Sequence, residues 1–152
     1  GEDTHRLVAG RPLVLGGVTI PFHLGLLGHS DADALAHAAM DAMLGACALG
    51  DIGKLFPDTD PQYAGICSLT LLTQVLRRTL AQGYALSNLD ATIVAQQPKL
   101  APHIPAMRAK LAAAMACGQE RISIKATTPE GCGPEGALES ITVRCVCSME
   151  AI

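Results

Sequence analysis

The sequence contains very few aromatic and charged residues. Its 152 residues include no Trp, two Tyr and two Phe, and charged side chains make up 16% of the chain, against roughly 25% in an average soluble protein. Ala, Leu, Val and Ile must therefore fill the core. A monomer with so few charges has difficulty covering its surface with polar groups, so we expect part of that surface to be buried by self-association.

Other absences disfavour several functional classes. Eleven Lys and Arg against 14 Asp and Glu give a formal net charge of -3, and without a basic run or an aromatic ladder nucleic-acid binding has little support. The apolar runs are far shorter than a membrane span, and P-loop and GxSxG motifs are missing. The chain is larger than most disulfide-stapled secreted scaffolds, so we expect its six Cys to be reduced and the protein to be cytoplasmic, or plastidic in a plant or alga.

The acidic residues are concentrated in one segment. Six of the eight Asp lie between Asp31 and Asp60, where Lys54 is the one basic residue, and no Glu occurs between Glu2 and Glu120. Asp favours helix caps and turns, which accounts for some of these positions. A chain with few charges that groups them in this way is also expected to use some of them for chemistry.

The hydrophobic pattern predicts strands, three helices and an early hairpin. Gly16 and Gly17 separate two short apolar segments and predict a two-residue turn, because glycine accepts positive φ. A helix is expected from Ser30 as N-cap to about Leu49, before Gly50. The other predicted elements are a strand over 1–5 whose beginning is missing, a helix capped by Ser68 and closed by Gly83, a strand over 87–95, a helix over 105–117, and strands over 122–127 and 139–149. This order predicts a single two-layer α+β domain over 1–152, with a mixed sheet packed on three helices.

Two separate parts of the chain suggest a metal site. Asp3 and His5 lie at positions i and i+2 of a strand, so their side chains share a face and can share one ion. His37 lies four residues from both Asp33 and Asp41 on a helix; a solvated polar stripe or a buried imidazole would also explain this helix, although solvent-facing stripes normally contain Glu and Lys. Asp3, His5 and His37 would together suit Zn²⁺ with an open fourth position. Asp33 or Asp41 would orient an imidazole.

Three loops combine groups that bind substrates. Segment 50–61 contains flexible glycines, a base, three acids and Phe56, as a substrate-covering loop would, and a plain surface loop leaves the aromatic ring unexplained. Segment 95–105 offers backbone N–H groups and Lys99 to a base or phosphate, although an ordinary Pro-rich connection would look the same. Segment 125–130 ends a strand with hydroxyls and a carboxylate that can hold phosphate and a second, harder metal.

Six segments match the motifs of one family in order and spacing, across nearly the whole chain. They are Asp3-Thr-His5, Gly16-Gly-Val-x-Ile-Pro21, Leu26-Leu-Gly-His-Ser-Asp-Ala-Asp33, Ala48-Leu-Gly-Asp-Ile-Gly-Lys-Leu-Phe-Pro-Asp-Thr-Asp-Pro61, Pro98-Lys-x-x-Pro-His-Ile-Pro-x-Met-Arg108 and Lys125-Ala-Thr-Thr128. Through them the chain resembles the 2-C-methyl-D-erythritol 2,4-cyclodiphosphate synthase family of the non-mevalonate (MEP) isoprenoid pathway. The resemblance implies a lyase that converts 4-diphosphocytidyl-2-C-methyl-D-erythritol 2-phosphate to the cyclic diphosphate and CMP. It also implies a homotrimer with active sites between subunits.

The resemblance assigns roles to individual residues. It implies that Asp3, His5 and His37 bind zinc, that Glu130 binds the Mg²⁺ or Mn²⁺ bridging the diphosphate, and that His29 and Thr128, as catalytic residues, stabilise the transition state. The other implied substrate-binding residues contact the phosphates (Ser30), the methylerythritol part (Asp51, Ile52, Gly53, Phe56, Pro57, Asp58, Thr59, Asp60) or, in a neighbouring subunit, the cytidine monophosphate (Ala95, Gln96, Gln97, Pro98, Lys99, Leu100, Ala101, Thr127). Asp3, His5, His29, Thr128 and Glu130 are also expected to contact substrate.

The implied chemistry fits these residue types. A phosphate oxyanion is already a nucleophile, so the protein mainly has to supply alignment and charge neutralisation, which divalent ions can provide. Two other functions remain open: a metal phosphohydrolase that activates water, and a non-enzymatic metal- or nucleotide-binding trimer. The chain departs from many bacterial members at Pro134 and Ala137, where these carry a Phe and an Arg that line a threefold cavity, and at Glu2, which is often aromatic. Since it starts inside the first motif, we expect it to be trimmed or separated from a fusion with the pathway's cytidylyltransferase domain.

Overall fold

A five-stranded mixed sheet forms one layer of the computed structural model, which describes residues 1–152. The strands of the chain are β1 (Glu2–Val8), β2 (Leu13–Leu15), β3 (Val18–Ile20), β4 (Gly25–Leu26), β5 (Tyr84–Val94), β6 (Ile122–Thr127) and β7 (Ser140–Ala151). The sheet order is β4-β1-β7-β5-β6, in which β5 and β6 are parallel and the other neighbours antiparallel. The predicted hairpin is confirmed, and it stands apart as the two-stranded β2–β3 sheet.

Three longer helices cover one face of this sheet, and two single-turn helices lie in the loops. They are α1 (Ala34–Ala46), α2 (Ile52–Leu55), α3 (Ser68–Ala81), α4 (Ile104–Ala114) and α5 (Gly133–Gly136). α1 lies against β1 and β7, α3 packs on α1 and β5, and α4 packs on β6. The predicted mixed α+β fold is therefore confirmed. The segment 50–61, predicted as a loop, contains the additional turn α2, and the connection between β6 and β7 contains α5.

The central helix α1 is buried almost all round. Ten of its 13 residues are buried, most of them Ala, Leu and Met, so the helix has no exposed stripe that would need Glu or Lys. Alanine also has the strongest helix propensity and lets a helix lie close to its neighbours. The chain before β1 uses this closeness: a Cβ built on Gly1 would stand 2.1 Å from the carbonyl oxygen of Ala38.

The N-cap of α1 is Asp33, so the prediction of Ser30 was wrong. Asp33 Oδ1 accepts hydrogen bonds from the backbone N–H groups of Ala36 (3.0 Å) and Gly16 (2.9 Å), and Oδ2 accepts one from Gly17 (2.7 Å). Burial raises the pKa of this fully buried carboxyl, and the three donors act in the opposite direction. One side chain therefore caps the helix and holds the turn of the β2–β3 hairpin against it.

Three further helix boundaries differ from the prediction. α4 ends at Ala114 rather than near Cys117. α1 ends at Ala46 rather than near Leu49, because Ala48 adopts a left-handed φ of 57° and the Leu49 N–H bonds back to the Leu44 carbonyl at 2.8 Å, as in a Schellman motif. α3 has Cys67 as N-cap, and Ser68 is its first helical residue. Ser68 does not cap because its hydroxyl points to groups buried between α1 and α3.

The two faces of the sheet differ in what covers them. Ile93, Ile141 and Val143 point towards the helices and are fully buried. On the opposite face no helix of eight or more residues packs, and Val146 of β7 is 65% exposed. None of the helices is both long and apolar enough to cross a lipid bilayer.

We predict that Asp33→Ala lowers the free energy of unfolding by about 3 kcal/mol, because it removes an N-cap and leaves two further N–H groups without an acceptor. Denaturant unfolding measures the change. Asp33→Asn, which keeps one acceptor oxygen, should lose clearly less. Equal stability of Asp33→Ala and the unsubstituted protein would contradict this role.

Candidate active site

Two secondary-structure elements bring Asp3, His5 and His37 together. In β1, Asp3 lies opposite Val143 and His5 opposite Ile141 of β7, and cross-strand partners share a face, so both side chains point to the helix side. α1 presents His37 one turn after its N-cap. Asp3 Oδ2 lies 2.8 Å from His5 Nε2 and 3.0 Å from His37 Nδ1, and the two imidazole nitrogens are 3.2 Å apart. The predicted cluster of possible metal ligands is present.

The charges in this cluster support one another. Burial by itself would raise the pKa of Asp3, but hydrogen bonds from His37 and His5 and their positive charge lower it to about 2. Burial by itself would lower the pKa of His5. The hydrogen bond and the negative charge of the Asp3 carboxylate have a larger effect, so the pKa of His5 is raised. The site thus favours a carboxylate with positive charge beside it.

The donor set fits a divalent metal ion. His5 Nδ1 lies 2.7 Å from the Leu27 carbonyl, and because a carbonyl only accepts, this nitrogen donates. His5 Nε2, which faces Asp3, therefore carries the second proton when the ring is a cation and the lone pair when the ring is neutral. A carboxylate oxygen and an imidazole lone pair this close repel each other unless a cation or a proton lies between them. One carboxylate and two imidazoles are the ligands of many catalytic zinc sites.

Asp33 and Asp41 do not orient the imidazoles, contrary to the prediction. Asp33 is used by the helix cap, and Asp41 accepts the backbone N–H of Ile52 at 2.8 Å. The ring of His37 instead contacts Ser68, whose hydroxyl contacts Asp31. No sequence spacing connects positions 31, 37 and 68, so this arrangement was missed.

The cluster lies in the wall of a cavity of about 410 Å³. Ten of the predicted metal and substrate residues line it: Asp3, His5, His29, Ser30, His37, Ile52, Gly53, Phe56, Pro57 and Asp58. Gly28, Tyr63 and Leu71 also line it and were not predicted. The Phe56 and Tyr63 rings pack edge to face with centroids 5.4 Å apart, which covers one side of the cavity with apolar surface.

Three predicted residues of the same loop are not in the cavity lining. The Asp51 carboxylate caps α2 by accepting the Lys54 N–H at 3.0 Å. The Asp60 carboxylate accepts hydrogen bonds from Gln62. Thr59 is exposed on the surface. The Asp60 carbonyl holds His29, whose Nε2 is 2.8 Å away. Asp60 therefore supports the cavity wall through its backbone. The two hydrogen bonds from Gln62 lower the pKa of the Asp60 carboxyl.

A second cavity of about 420 Å³ lies beyond the ends of β5 and β6. Its lining contains every residue predicted for the nucleotide together with Thr128: Ala95, Gln96, Gln97, Pro98, Lys99, Leu100, Ala101, Thr127 and Thr128. Glu130 is exposed outside both linings, at a φ of 55°. The loop that carries it is tied to this cavity, since the Gly131 N–H donates to Gln96 Oε1 at 2.9 Å.

The two cavities open at the same end of the sheet and are separate. Asp3 of β1 is in register with Val143 of β7, Ile93 of β5 and Ala126 of β6. The two cavities are therefore at the same position along the strand direction. Three strand spacings separate β1 from β6, roughly 14 Å, and the two linings have no residue in common. One copy of the chain therefore does not join the histidine cluster to the second cavity.

Comparison with known proteins identifies the family. A model of the YgbB family matches residues 1–150. The chain belongs to the YgbB family. This YgbB-family chain is 58% identical over 150 residues to 2-C-methyl-D-erythritol 2,4-cyclodiphosphate synthase of Geobacter sulfurreducens, covering 99% of this chain and 96% of that protein. The resemblance inferred from the six motif segments is thus confirmed.

Solved structures agree with this family assignment. A 2C-methyl-D-erythritol-2,4-cyclodiphosphate synthase in a CDP-bound form has a TM-score of 0.90 and 42% identity, over 99% of this chain and 97% of that one. The bifunctional IspDF from Campylobacter jejuni has a TM-score of 0.97 and 40% identity over all of this chain. The YgbB-family chain spans 41% of the length of that bifunctional protein.

We predict that Zn²⁺ raises the unfolding temperature of the protein and that His37→Ala removes this effect. A ligand that binds only the folded state, present at about 100 times its Kd, adds about 2.7 kcal/mol of stability. Differential scanning calorimetry with and without Zn²⁺ measures the shift. His23→Ala is the matched control, because His23 is exposed and lies outside the cavity; the site would be wrong if both variants responded alike.

Proposed function

We infer that this protein is a 2-C-methyl-D-erythritol 2,4-cyclodiphosphate synthase. It converts 4-diphosphocytidyl-2-C-methyl-D-erythritol 2-phosphate to 2-C-methyl-D-erythritol 2,4-cyclodiphosphate and CMP in the MEP pathway of isoprenoid precursor synthesis. The observation that carries this conclusion is the meeting of Asp3, His5 and His37 in one cavity, in a chain 58% identical to a synthase of that name. The CDP bound in a solved relative supports a cytidine diphosphate as substrate.

Zn²⁺ is the metal we propose for Asp3, His5 and His37. The two imidazoles and one carboxylate suit it better than Mg²⁺, which prefers oxygen ligands only. We propose that Glu130, an exposed carboxylate near the second cavity, binds Mg²⁺ or Mn²⁺ together with substrate phosphates. When bound, such ions neutralise phosphate charge and act as Lewis acids.

The reaction is a phosphoryl transfer within one molecule. An oxygen of the 2-phosphate forms a bond to the β-phosphorus, and the bond between that phosphorus and the oxygen bridging to the α-phosphorus breaks. The electron pair of the broken bond leaves with CMP. No proton has to be removed from the nucleophile, which explains why the cavity needs no activated Ser or Cys.

The residues of this chain mainly position the substrate. Ser30 and His29 lie at the same wall as the histidine cluster, and the Asp60 carbonyl fixes the His29 ring, so we propose that these two groups contact the phosphates. The apolar Phe56–Tyr63 pair excludes water from the methylerythritol side. Thr128, at the second cavity, is the proposed partner of His29 in stabilising the transition state.

A homotrimer would bring the two cavities together. A substrate that joins a cytidine to phosphates at the metal needs both cavities, and in one copy they are roughly 14 Å apart on different parts of the sheet. The face of the sheet that carries the 65%-exposed Val146 has no covering helix and is the surface we propose for subunit contact. Burial of this face in a trimer would also explain how a chain with so few charged residues covers its remaining surface with polar groups.

We predict that the purified protein with Zn²⁺ and Mg²⁺ releases CMP and a cyclic diphosphate, and that His37→Ala releases neither at more than roughly 1% of that rate, since metal contributes several kcal/mol to such reactions. Phosphorus NMR of the products measures both. A linear phosphate as product would instead indicate a phosphohydrolase. Bound zinc and CMP without turnover would indicate a binding protein.

We also predict that two inactive variants restore activity when their subunits are mixed. His37→Ala damages the metal cavity, and Lys99→Ala damages the nucleotide cavity. If each site takes one cavity from each of two neighbours, a random equal mixture in the trimer leaves roughly a quarter of the sites intact. Co-refolding followed by the CMP assay measures this. Sedimentation at the mass of a monomer, or no activity in the mixture, would contradict the proposed trimer site.

A further inference from the structure

The second nitrogen of His37 points away from the cavity, into a buried polar group. His37 Nε2 lies 2.9 Å from Ser68 Oγ, at the start of α3. His37 is 8% exposed and Ser68 is fully buried. The hydroxyl of Ser30 is also near, 3.2 Å from the same nitrogen, so the ring edge is surrounded by oxygen atoms while its other edge faces Asp3.

The direction of the hydrogen bonds follows from Asp31. The Ser68 hydroxyl lies 2.5 Å from Asp31 Oδ1, and because a carboxylate only accepts, Ser68 gives its one hydroxyl proton to Asp31. The Ser68 oxygen is then left as an acceptor towards His37, so the proton of the ring is on Nε2. In the neutral ring the lone pair is consequently on Nδ1, the atom 3.0 Å from Asp3 Oδ2, and a proton on Nδ1 makes the ring a cation.

Asp31 is itself held in place by the backbone. Its Oδ2 accepts the N–H of Ser68 at 3.0 Å, and its Oδ1 accepts the N–H of Asp33 at 3.2 Å. The same carboxylate thus ties the segment before α1 to the first turn of α3. Rotation of Asp31 would break these bonds, so the acceptor for the Ser68 hydroxyl has a fixed position.

We propose that Asp31 and Ser68 are positioning residues that hold His37 in the Nε2–H tautomer and so prepare its Nδ1 as a metal ligand. This inference rests on the proposed zinc site. Ser68 would then do for His37 what the Leu27 carbonyl does for His5. In each neutral imidazole the nitrogen away from Asp3 donates its N–H to an oxygen, and the nitrogen on the Asp3 side keeps its lone pair for a metal. Metal-binding histidines usually need such a partner, and its loss typically lowers metal affinity or activity 10- to 100-fold.

Asp31→Ala gives a specific test, because it removes the acceptor of the Ser68 hydroxyl proton and leaves the Ser68 hydroxyl in place. The Ser68 proton is then free to turn towards His37 Nε2. This favours the Nδ1–H tautomer, which cannot bind metal through Nδ1.

The experiment compares Ser68→Ala, Asp31→Ala and Thr79→Val with the unsubstituted protein. Thr79→Val is the matched control, since it removes another fully buried hydroxyl of α3 whose partner is the Leu76 carbonyl, away from the site. Zinc affinity is measured by competition with a chromophoric chelator. The position of the His37 ring proton and its hydrogen bond are read from ¹H–¹⁵N correlations of the zinc-loaded protein.

We expect zinc affinity to fall 10- to 100-fold in Ser68→Ala and Asp31→Ala and to stay within twofold in Thr79→Val. In the zinc-loaded unsubstituted protein we expect a proton on Nε2 whose chemical shift shows a hydrogen bond, and we expect that shift to change in Ser68→Ala. Unchanged zinc affinity in both site variants, or a proton on Nδ1 in the zinc-loaded unsubstituted protein, would overturn the proposal. If Ser68→Ala does not fold, Asp31→Ala decides alone.

The outcome is distinguishable from failure of the proposed function. If the unsubstituted protein neither binds zinc nor releases CMP, the zinc site and the synthase activity are wrong. If it does both and the two site variants bind zinc equally well, only the role of Asp31 and Ser68 is wrong.

Discussion

The contact of one carboxylate with two imidazoles is the interaction on which the rest of the site depends. Asp3 Oδ2 has a histidine nitrogen 2.8 Å away on one side and another 3.0 Å away on the other. Such a group is stable only when positive charge lies within it, either as protons or as a metal ion. β1 and α1 place the three side chains so that this positive charge can lie between them.

Two aspartates, the buried Asp33 and the half-buried Asp31, hold this region in place, and both act on backbone N–H groups. Asp33 fixes the start of α1 to the β2–β3 turn, which determines where His37 lies above β1. Asp31 fixes the start of α3 beside it, which determines what the outer edge of His37 meets. The concentration of acidic residues in this segment of the chain is thus partly structural, and its structural members lie directly behind the proposed metal ligands.

The few charged groups near the two cavities are consistent with each cavity binding a different part of the substrate. The histidine cluster has the negative Asp3 beside positive imidazoles, whereas the second cavity contains Lys99 and the ends of two parallel strands. Neither cavity alone suits a molecule that carries both a nucleotide and a second phosphate. A second copy of the chain, seated on the face of the sheet without helices, is the simplest means of joining them.

Most of the fold and the pairing of Asp3 with His5 could be predicted from the sequence, because they depend on short-range geometry, whereas the family motifs were needed to assign His37 to the same proposed metal site. Residues i and i+2 share a face of any strand, Gly16-Gly17 favours a tight turn in any context, and six consecutive residues of β6 have a clear hydrophobic alternation. The sequence could not decide between Ser30 and Asp33 as the cap of α1, since both have suitable side chains. In the folded chain Asp33 also accepts the hairpin N–H groups of Gly16 and Gly17, which are distant in sequence, and this tertiary contact selects Asp33 as the cap. The bond between Asp31 and Ser68 likewise spans 37 positions, so only the packing of α3 against α1 determined how His37 is held.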